Sequence, residues 1–263
     1  MGGWRFALPP SLGREPVRAL ARQFASLLYE AGFTTVWPQD TYARVEERLL
    51  GGEADAAWGP PMVCARVESA GGVVALSAIR WGAASYRSVL LARADDQLEL
   101  SDLGRGRRQP RAVWVDEKSM GGYALPRGHL RALGVDPATA FIDERFGGSY
   151  EACLREVLDG NADVTATFSA AASANRPAAG YVELCGFRAI ELKVLGYTSE
   201  CPNDGIVLSP RLSPATIDAI RAALWQLLAD PGSRRLLAAA FDVDGFDEPR
   251  EAGAYRALLD LAP

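Results

Sequence analysis

Along the chain the hydrophobic positions switch repeatedly between a period of two and a period near 3.6, and each switch marks an element. Trp4-Arg5-Phe6-Ala7-Leu8 reads as a strand. Over Arg14–Ala31 the apolar residues Val17, Leu20, Ala21, Phe24, Leu27 and Leu28 keep a helical repeat that Gly32 closes. Phe33–Trp37 predicts a second strand, and Asp40-Thr41 can cap a helix over Tyr42–Leu50 that Gly51-Gly52 stops. Ala54–Trp58 reads as a short buried strand turned by Gly59-Pro60-Pro61, before a helix over Met62–Ala70 and a strand over Val73–Ile79. Tyr86–Arg93 is an unbroken strand pattern that runs into a polar link, Asp95–Gln109.

Beyond the link the alternation resumes. Ala112–Val115 is a strand, and a helix over Tyr123–Leu133 ends at Gly134. Ser149 caps a helix over Tyr150–Asp159, Gly160 stops it, and Asp163–Thr167 is the next strand. Ala170–Gly180 is small and polar and fits no element. Strands over Ala189–Thr198 and Ile206–Leu208 follow. A helix opened by Ser213-Pro214 then runs to Ala229, with further helices over Arg234–Ala240 and near Ala252–Leu261. Strand–helix alternation of this kind predicts an α/β fold, a parallel sheet with helices on its faces.

One pattern occurs twice. Tyr42, Leu50, Gly52, Ala54 and Asp55 recur at the same spacing as Tyr150, Leu158, Gly160, Ala162 and Asp163. The shared fragment, a capped helix, a glycine stop and a strand opening with Asp, predicts two similar α/β lobes. Asp55 and Asp163 read as structural, satisfying backbone where a strand begins. Ala189–Thr198 carries the chain back, so the lobes are expected to be discontinuous: 1–88 with 199–263, and 89–198. Tyr86–Arg93 and Leu195–Ser199 would be two crossover strands. Ligands of open α/β sheets bind outside the carboxyl ends of strands, which places the expected ligand cleft.

Composition narrows the chemistry. With 263 residues, 49% apolar and 23% charged, the chain can bury a substantial core. The net charge of −5 and the lack of a basic cluster interleaved with aromatics argue against nucleic acid, leaving Arg105-Gly106-Arg107-Arg108 as a solvated loop. No apolar run reaches the length of a membrane span. Trp4–Leu8 is strand-like rather than a leader, which is compatible with a cytoplasmic chain or with a periplasmic one whose leader has been removed. Cys64, Cys153, Cys185 and Cys201 have no metal-ligand spacing, and His129 is the one histidine. A zinc site or a histidine-dependent triad is therefore not expected, and no cofactor or catalytic residue is implied.

Between the strand Ala112–Val115 and its helix lies Asp116-Glu117-Lys118-Ser119-Met120-Gly121-Gly122-Tyr123-Ala124-Leu125-Pro126. A strand feeding a helix through a Ser/Gly turn leaves backbone N–H groups pointing out of the sheet end, a cradle for an anionic group. A plain βα turn capped by Ser119 is the alternative.

Six segments in order resemble the type 2 periplasmic binding proteins, specifically the phosphate/phosphite/phosphonate-type substrate-binding components of ABC transporters. They are Thr41-Tyr42-Ala43, Ala56-Ala57-Trp58-Gly59-Pro60, Ser85-Tyr86-Arg87-Ser88-Val89-Leu90, Ser119-Met120-Gly121-Gly122-Tyr123 with Pro126, Gly148-Ser149-Tyr150-Glu151, and Pro202-Asn203-Asp204-Gly205-Ile206-Val207. The resemblance implies a two-lobed fold with a central ligand cleft and two crossover strands. It also implies a non-catalytic receptor for a small molecule that closes about a hinge.

The family's Ser-Thr-Ser hydroxyls become Ser119, Met120 and Gly121 here, and its histidine at the second helix start becomes Tyr150. An acidic residue that holds an amino group in some members falls at Ala170, while Asp204 is kept. Two neutral hydrogen bonds fewer, at about 0.5–1.5 kcal/mol each, would cost an inorganic anion roughly five- to a hundredfold or more. A larger organic anion is the expected ligand. Its contacts are expected from Tyr42, Trp58, Tyr86, Ser119, Met120, Gly121, Gly122, Tyr123, Ser149, Tyr150 and Asp204, with the aromatics as walls and core packing as the competing role of each. Arg87 alternates to the face opposite Tyr86. Expected partners are the small molecule and either a transporter permease or a sensory kinase, with the chain itself a monomer. The competing readings are an enzyme on the same fold, of the chorismate dehydratase or thiamine-pyrimidine synthase kind, and a cytoplasmic sensory module.

Overall fold

The computed structural model describes residues 3–9, 18–39, 41–104, 109–170, 179–249, 251 and 253–261. Asp40, Arg105–Arg108 and most of the unassigned Ala170–Gly180 stretch lie outside them. The chain divides into two compact units, Met1–Ala84 with Pro202–Leu259, and Ser85–Cys201 with Asp260–Pro263. It therefore changes unit at residues 84/85, 201/202 and 259/260. The last of these changes has no counterpart in the sequence reading.

In chain order the first run is β1 (Trp4–Leu8), α1 (Arg18–Glu30), β2 (Phe33–Pro38), α2 (Tyr42–Gly51), β3 (Ala56–Gly59), α3 (Pro61–Ser69) and β4 (Val73–Ile79). The second is β5 (Ser85–Arg93), β6 (Arg111–Trp114), α4 (Leu125–Ala132), β7 (Asp143–Phe146), α5 (Tyr150–Leu158), β8 (Thr165–Ala170), α6 (Ala179–Cys185), β9 (Leu192–Tyr197) and β10 (Cys201–Pro202). The return comprises β11 (Gly205–Leu208), α7 (Pro214–Ala229), α8 (Pro231–Phe241), β12 (Gly245–Asp247) and a 3-10 turn, Arg256–Leu261.

The first unit is built on a six-stranded sheet in the order β12-β4-β11-β3-β1-β2. β1 runs parallel to β2 and β3, but β11 is antiparallel to both β3 and β4. The sheet is thus mixed rather than parallel, because the strand that returns from the other unit inserts between β3 and β4 with reversed direction. Phe6 meets Phe24 and Phe33 edge to face at 5.8 and 5.5 Å, and Trp58 lies flat on Phe241 at 4.0 Å. Such contacts add to the area these rings bury.

In the second unit β5 pairs with β8, β9 and β10, while β6 and β7 form a parallel pair. A parallel bridge between Ala112 and Val164 ties β6 to the chain entering β8. All four residues of β7 are exposed, so no alternation revealed this strand in the sequence. Three further expectations are corrected. Ala189–Glu191 belongs to a 3-10 turn, Gly186–Glu191, and β9 begins only at Leu192. Between the two last expected helices, where no strand was expected, lies the short β12, and the closing helix is a 3-10 turn.

The twin pattern folds into twin structure. Thr41 caps α2 through Arg44 N, and Ser149 caps α5 through Ala152 N. Gly52 and Gly160 both take φ +76°, the left-handed conformation that lets a helix end without a side-chain clash. The Asp55 carboxylate accepts hydrogen bonds from Arg5 N (2.8 Å), Nε (3.0 Å) and Nη2 (2.9 Å), and Arg5 Nη2 also donates to Gly52 O (2.7 Å). Asp163 accepts from Arg111 N (2.8 Å), Nε (3.1 Å) and Nη2 (2.9 Å), and Arg111 Nη2 donates to Gly160 O (2.9 Å). In each copy an arginine at the start of one strand grips the turn into the strand beside it.

Candidate ligand-binding site

In the second unit the strand β6 feeds not an α-helix directly but one wide π-helical turn, Met120–Ala124, followed by α4. The expected helix over Tyr123–Leu133 therefore starts differently: Gly121 and Gly122 line a turn in which a Cβ would crowd its neighbours, and Pro126 sits in the first turn of α4. Isolated π turns are frequent at functional sites. Ser119 caps this one, its Oγ accepting from Gly122 N at 3.0 Å. Among the described residues the backbone N–H groups of Met120 and Gly121 have no acceptor, nor do those of Tyr150 and Glu151 at the start of α5.

Side chains close around this turn. A Cβ on Gly121 would stand 2.9 Å from Tyr150 Oη, 3.3 Å from Tyr86 Cε2 and 3.7 Å from Ser88 Oγ. Ser119, Gly121 and Tyr150 are therefore brought together, as the sequence suggested, and Tyr86, expected in the first lobe, joins them in the second unit. Ser88 joins them, donating to Gly121 O at 2.6 Å from full burial. Phe168 also joins, its ring 5.2 Å from that of Tyr150 at near right angles. The sequence reading missed both. The signal was present for Ser88, two residues after Tyr86 and hence on the same face of β5. Phe168 shares that face because it pairs with Ser88 across the ladder. Burial pushes the Tyr150 phenol up from its ordinary pKa, and the neighbouring Ser119 hydroxyl opposes this.

Tyr123 and Ser149 have local roles. The Tyr123 ring packs edge-on against Trp114 and Phe146 at 6.2 and 5.3 Å, with the Arg127 guanidinium 5.0 Å above it. Ser149 Oγ is committed to Ala152 N at 3.2 Å. Arg87 pairs with Glu200 at 2.9 Å.

The first unit carries Tyr42, Trp58 and Asp204. Tyr42 is exposed at the first position of α2, the place Tyr150 holds in α5. Trp58 is different: it is 3% exposed and stacked on Phe241, so its surface is spent on the core. Asp204 pairs with Arg80 at 3.0 Å, and Arg80 also donates to the carbonyls of Phe241 and Asp242, fastening the end of α8. Burial raises the Asp204 carboxyl and the Arg80 charge pulls it back. Among the described residues no group of His, Cys, Asp or Glu could hold a metal, and the four cysteines are free. His129 is half-buried, which lowers its pKa.

A two-unit α/β chain with a serine-capped turn at the end of a strand has the features of the type 2 periplasmic binding proteins, and the solved structures it matches share that fold. The Xanthomonas citri protein XAC2383, described as bound to ATP, aligns over 100% of this chain and 96% of its own, with 18% identity and a TM-score of 0.71. A binding protein component of an ABC phosphonate transporter from Pseudomonas aeruginosa aligns over 97% and 85%, with 20% identity and a TM-score of 0.63. PhnD1 from Prochlorococcus marinus, in complex with methylphosphonate, aligns over 99% and 97%, with 14% identity and a TM-score of 0.61. Among curated protein sequences no significant relative is found.

The family profile described as ABC transporter, phosphonate, periplasmic substrate-binding protein matches residues 26–253, and the chain belongs to that family. It is a family of solute-binding, non-catalytic transporter components, and its ligands are small molecules. No helix among the described residues is long and apolar enough to cross a membrane.

Proposed function

We propose that this chain receives an organic anion, with the anionic group seated in the second unit on the Ser119–Tyr123 turn and the start of α5. The observation that carries this is the set of unclaimed N–H groups at Met120, Gly121, Tyr150 and Glu151 beside the Ser119 and Tyr150 hydroxyls. Neutral donors without acceptors, two of them at the positive end of a nine-residue helix, stabilise negative charge without a cation. Tyr86 walls the same place. In the first unit, Tyr42 is proposed as a ligand contact on its equivalence to Tyr150, and Asp204 as a polar one through its partly exposed carboxylate. Trp58 supports this role only from within the core. The two units are read as the two lobes of a monomeric receptor that delivers its ligand to a transporter permease.

Calorimetric titration with phosphate, methylphosphonate and ATP tests the reading, the last two spanning the sizes of anion described with the similar folds. An organic anion should bind at least about tenfold more tightly than phosphate, and Ser119→Ala should weaken it by about two- to tenfold, the worth of one neutral hydrogen bond. Submicromolar phosphate binding would overturn the preference for an organic ligand. Tight binding indifferent to Ser119→Ala would move the site elsewhere.

A further inference from the structure

We propose that Trp81 is a stacking platform for a planar aromatic group, so that the anion this chain receives carries a ring such as a nucleobase or an aryl group. The inference rests on the proposed function, whose organic anion it narrows to an aromatic one.

The backbone at Trp81 is the starting point. Arg80 N donates to Ala83 O at 2.9 Å and Ala83 N to Arg80 O at 3.0 Å, closing a two-residue hairpin turn over Trp81 and Gly82. Both central residues have positive φ, +50° and +73°. Asn-Gly, Asp-Gly or Gly-Gly suits such a turn, because a bulky side chain in the left-handed region strains the backbone. Among the described residues Asp242 is the only other non-glycine residue in that region. Strain of this kind persists where the surroundings over-determine it. They do so here: Gly82 N donates to Asp244 Oδ2 at 2.9 Å, while Arg80 donates to Asp204 Oδ2 at 3.0 Å, Phe241 O at 3.1 Å and Asp242 O at 3.2 Å. The indole is thus carried on a turn held from both flanks.

The turn also stands at the sheet edge outside which ligands of α/β folds bind. β1 is parallel to β2 and β3, and β11 opposes both β3 and β4, so β1 to β4 all run in one direction. Their carboxyl ends, Leu8, Pro38, Gly59 and Ile79, share one edge. Among the described residues of the first unit, the exposed large apolar side chains are Tyr29, Tyr42 and Trp81. Tyr42 and Trp81 follow those carboxyl ends, whereas Tyr29 precedes β2 at its amino end. Trp81 is 41% exposed, in contrast to Trp58, which is stacked on Phe241 in the core. Asp204 and Asp244 beside the turn are engaged by Arg80 and Gly82 N, so what the turn offers a ligand is a flat π surface rather than charge. A planar ring is the group that such a surface recognises by stacking.

The test compares adenosine 5′-monophosphate with ribose 5-phosphate, which differ by the base, in the full chain and in its variants Trp81→Asn and Trp81→Phe. The wild type should bind the nucleotide at least about tenfold more tightly, and Trp81→Asn should cut that ratio to about two, with Trp81→Phe in between. In ligand-free melts Trp81→Asn should raise the transition of the first unit by about 2–4 °C, because asparagine accepts the left-handed turn. A gain in stability together with a loss of selectivity separates a ligand platform from a packing residue. A Tm that fails to rise would show that the fold itself uses the indole, and would overturn the inference. An unchanged ratio in Trp81→Asn would overturn it as well. A wild type that binds ribose 5-phosphate or methylphosphonate without preferring the nucleotide would overturn this inference alone and leave the anion site of the second unit standing. If the wild type binds none of the three, the proposed function falls and this assignment with it.

Discussion

The duplicated arginine–aspartate grip makes a sharp energetic prediction, because the same network occurs in both units at nearly the same distances. Asp163→Ala removes three hydrogen bonds at 2.8, 3.1 and 2.9 Å and leaves Arg111 N–H without its acceptor. The Arg111 side chain is 42% exposed, so its charge interaction is screened and contributes toward the lower end, about 0–1 kcal/mol. The Asp163 side chain is only 13% exposed, and the orphaned backbone donor it leaves behind costs about 1–3 kcal/mol. The sum is roughly 1–4 kcal/mol, which in a chain of this size corresponds to roughly 2–16 °C in the melting temperature of the affected unit. Asp55→Ala should cost the same within about 1 kcal/mol, since Arg5 and Asp55 are exposed to 41% and 11%. Hydrogen exchange read unit by unit is the assay, because a whole-chain melt would mix two transitions. Asp55→Ala should loosen the first unit and Asp163→Ala the second. Costs below about 1 kcal/mol, or two costs differing by more than about 2 kcal/mol, would show that the matched geometry does not carry matched energy.

Two further outcomes follow from the packing. Trp58→Ala should cost about 3–5 kcal/mol of stability in a denaturant melt, whereas Trp58→Phe should keep most of the stack on Phe241 and leave affinity nearly unchanged; a large affinity loss in the folded Phe variant would return Trp58 to the ligand. His129, held below its ordinary 6.5 by burial, is favoured neutral when folded, so the unfolded chain binds its proton first. Stability should therefore be unaffected above about pH 6.5 and fall as pH drops from there toward the folded value. His129→Gln should flatten that part of the Tm-against-pH curve, and an unchanged slope would refute the assignment.

Much of the fold was legible because the strongest signals were local. The caps Thr41, Ser149 and Ser213 and the glycine stops Gly32, Gly52, Gly134 and Gly160 mark element ends by chemistry that needs no distant partner. What escaped was set by tertiary contact. β7 has no buried face, and β12 is only three residues paired to β4. The direction of β11 is decided by where a returning chain enters a sheet, which no window of sequence records.

The site was legible in its residue types and misjudged in its arithmetic. Counting hydroxyls along Ser119-Met120-Gly121 finds one, and from that count a weakened anion cradle follows. A ligand meets atoms in space rather than positions in a segment, however, and the place vacated at Gly121 is occupied by a phenol from twenty-nine residues further along the chain. The same count also overlooked Ser88, which holds the turn through Gly121 O. Trp58 fails in the opposite sense: an aromatic at a strand end looks like a pocket wall until α8, arriving after the whole second unit, lays Phe241 against it. The residues that change role between sequence and structure are thus those whose neighbours come from other segments. Within the second unit, the Tyr150 phenol stands in the space beside Gly121, next to the Ser119 hydroxyl. The loss expected for a phosphonate oxygen should accordingly be nearer one neutral hydrogen bond than two, about two- to tenfold rather than a hundredfold.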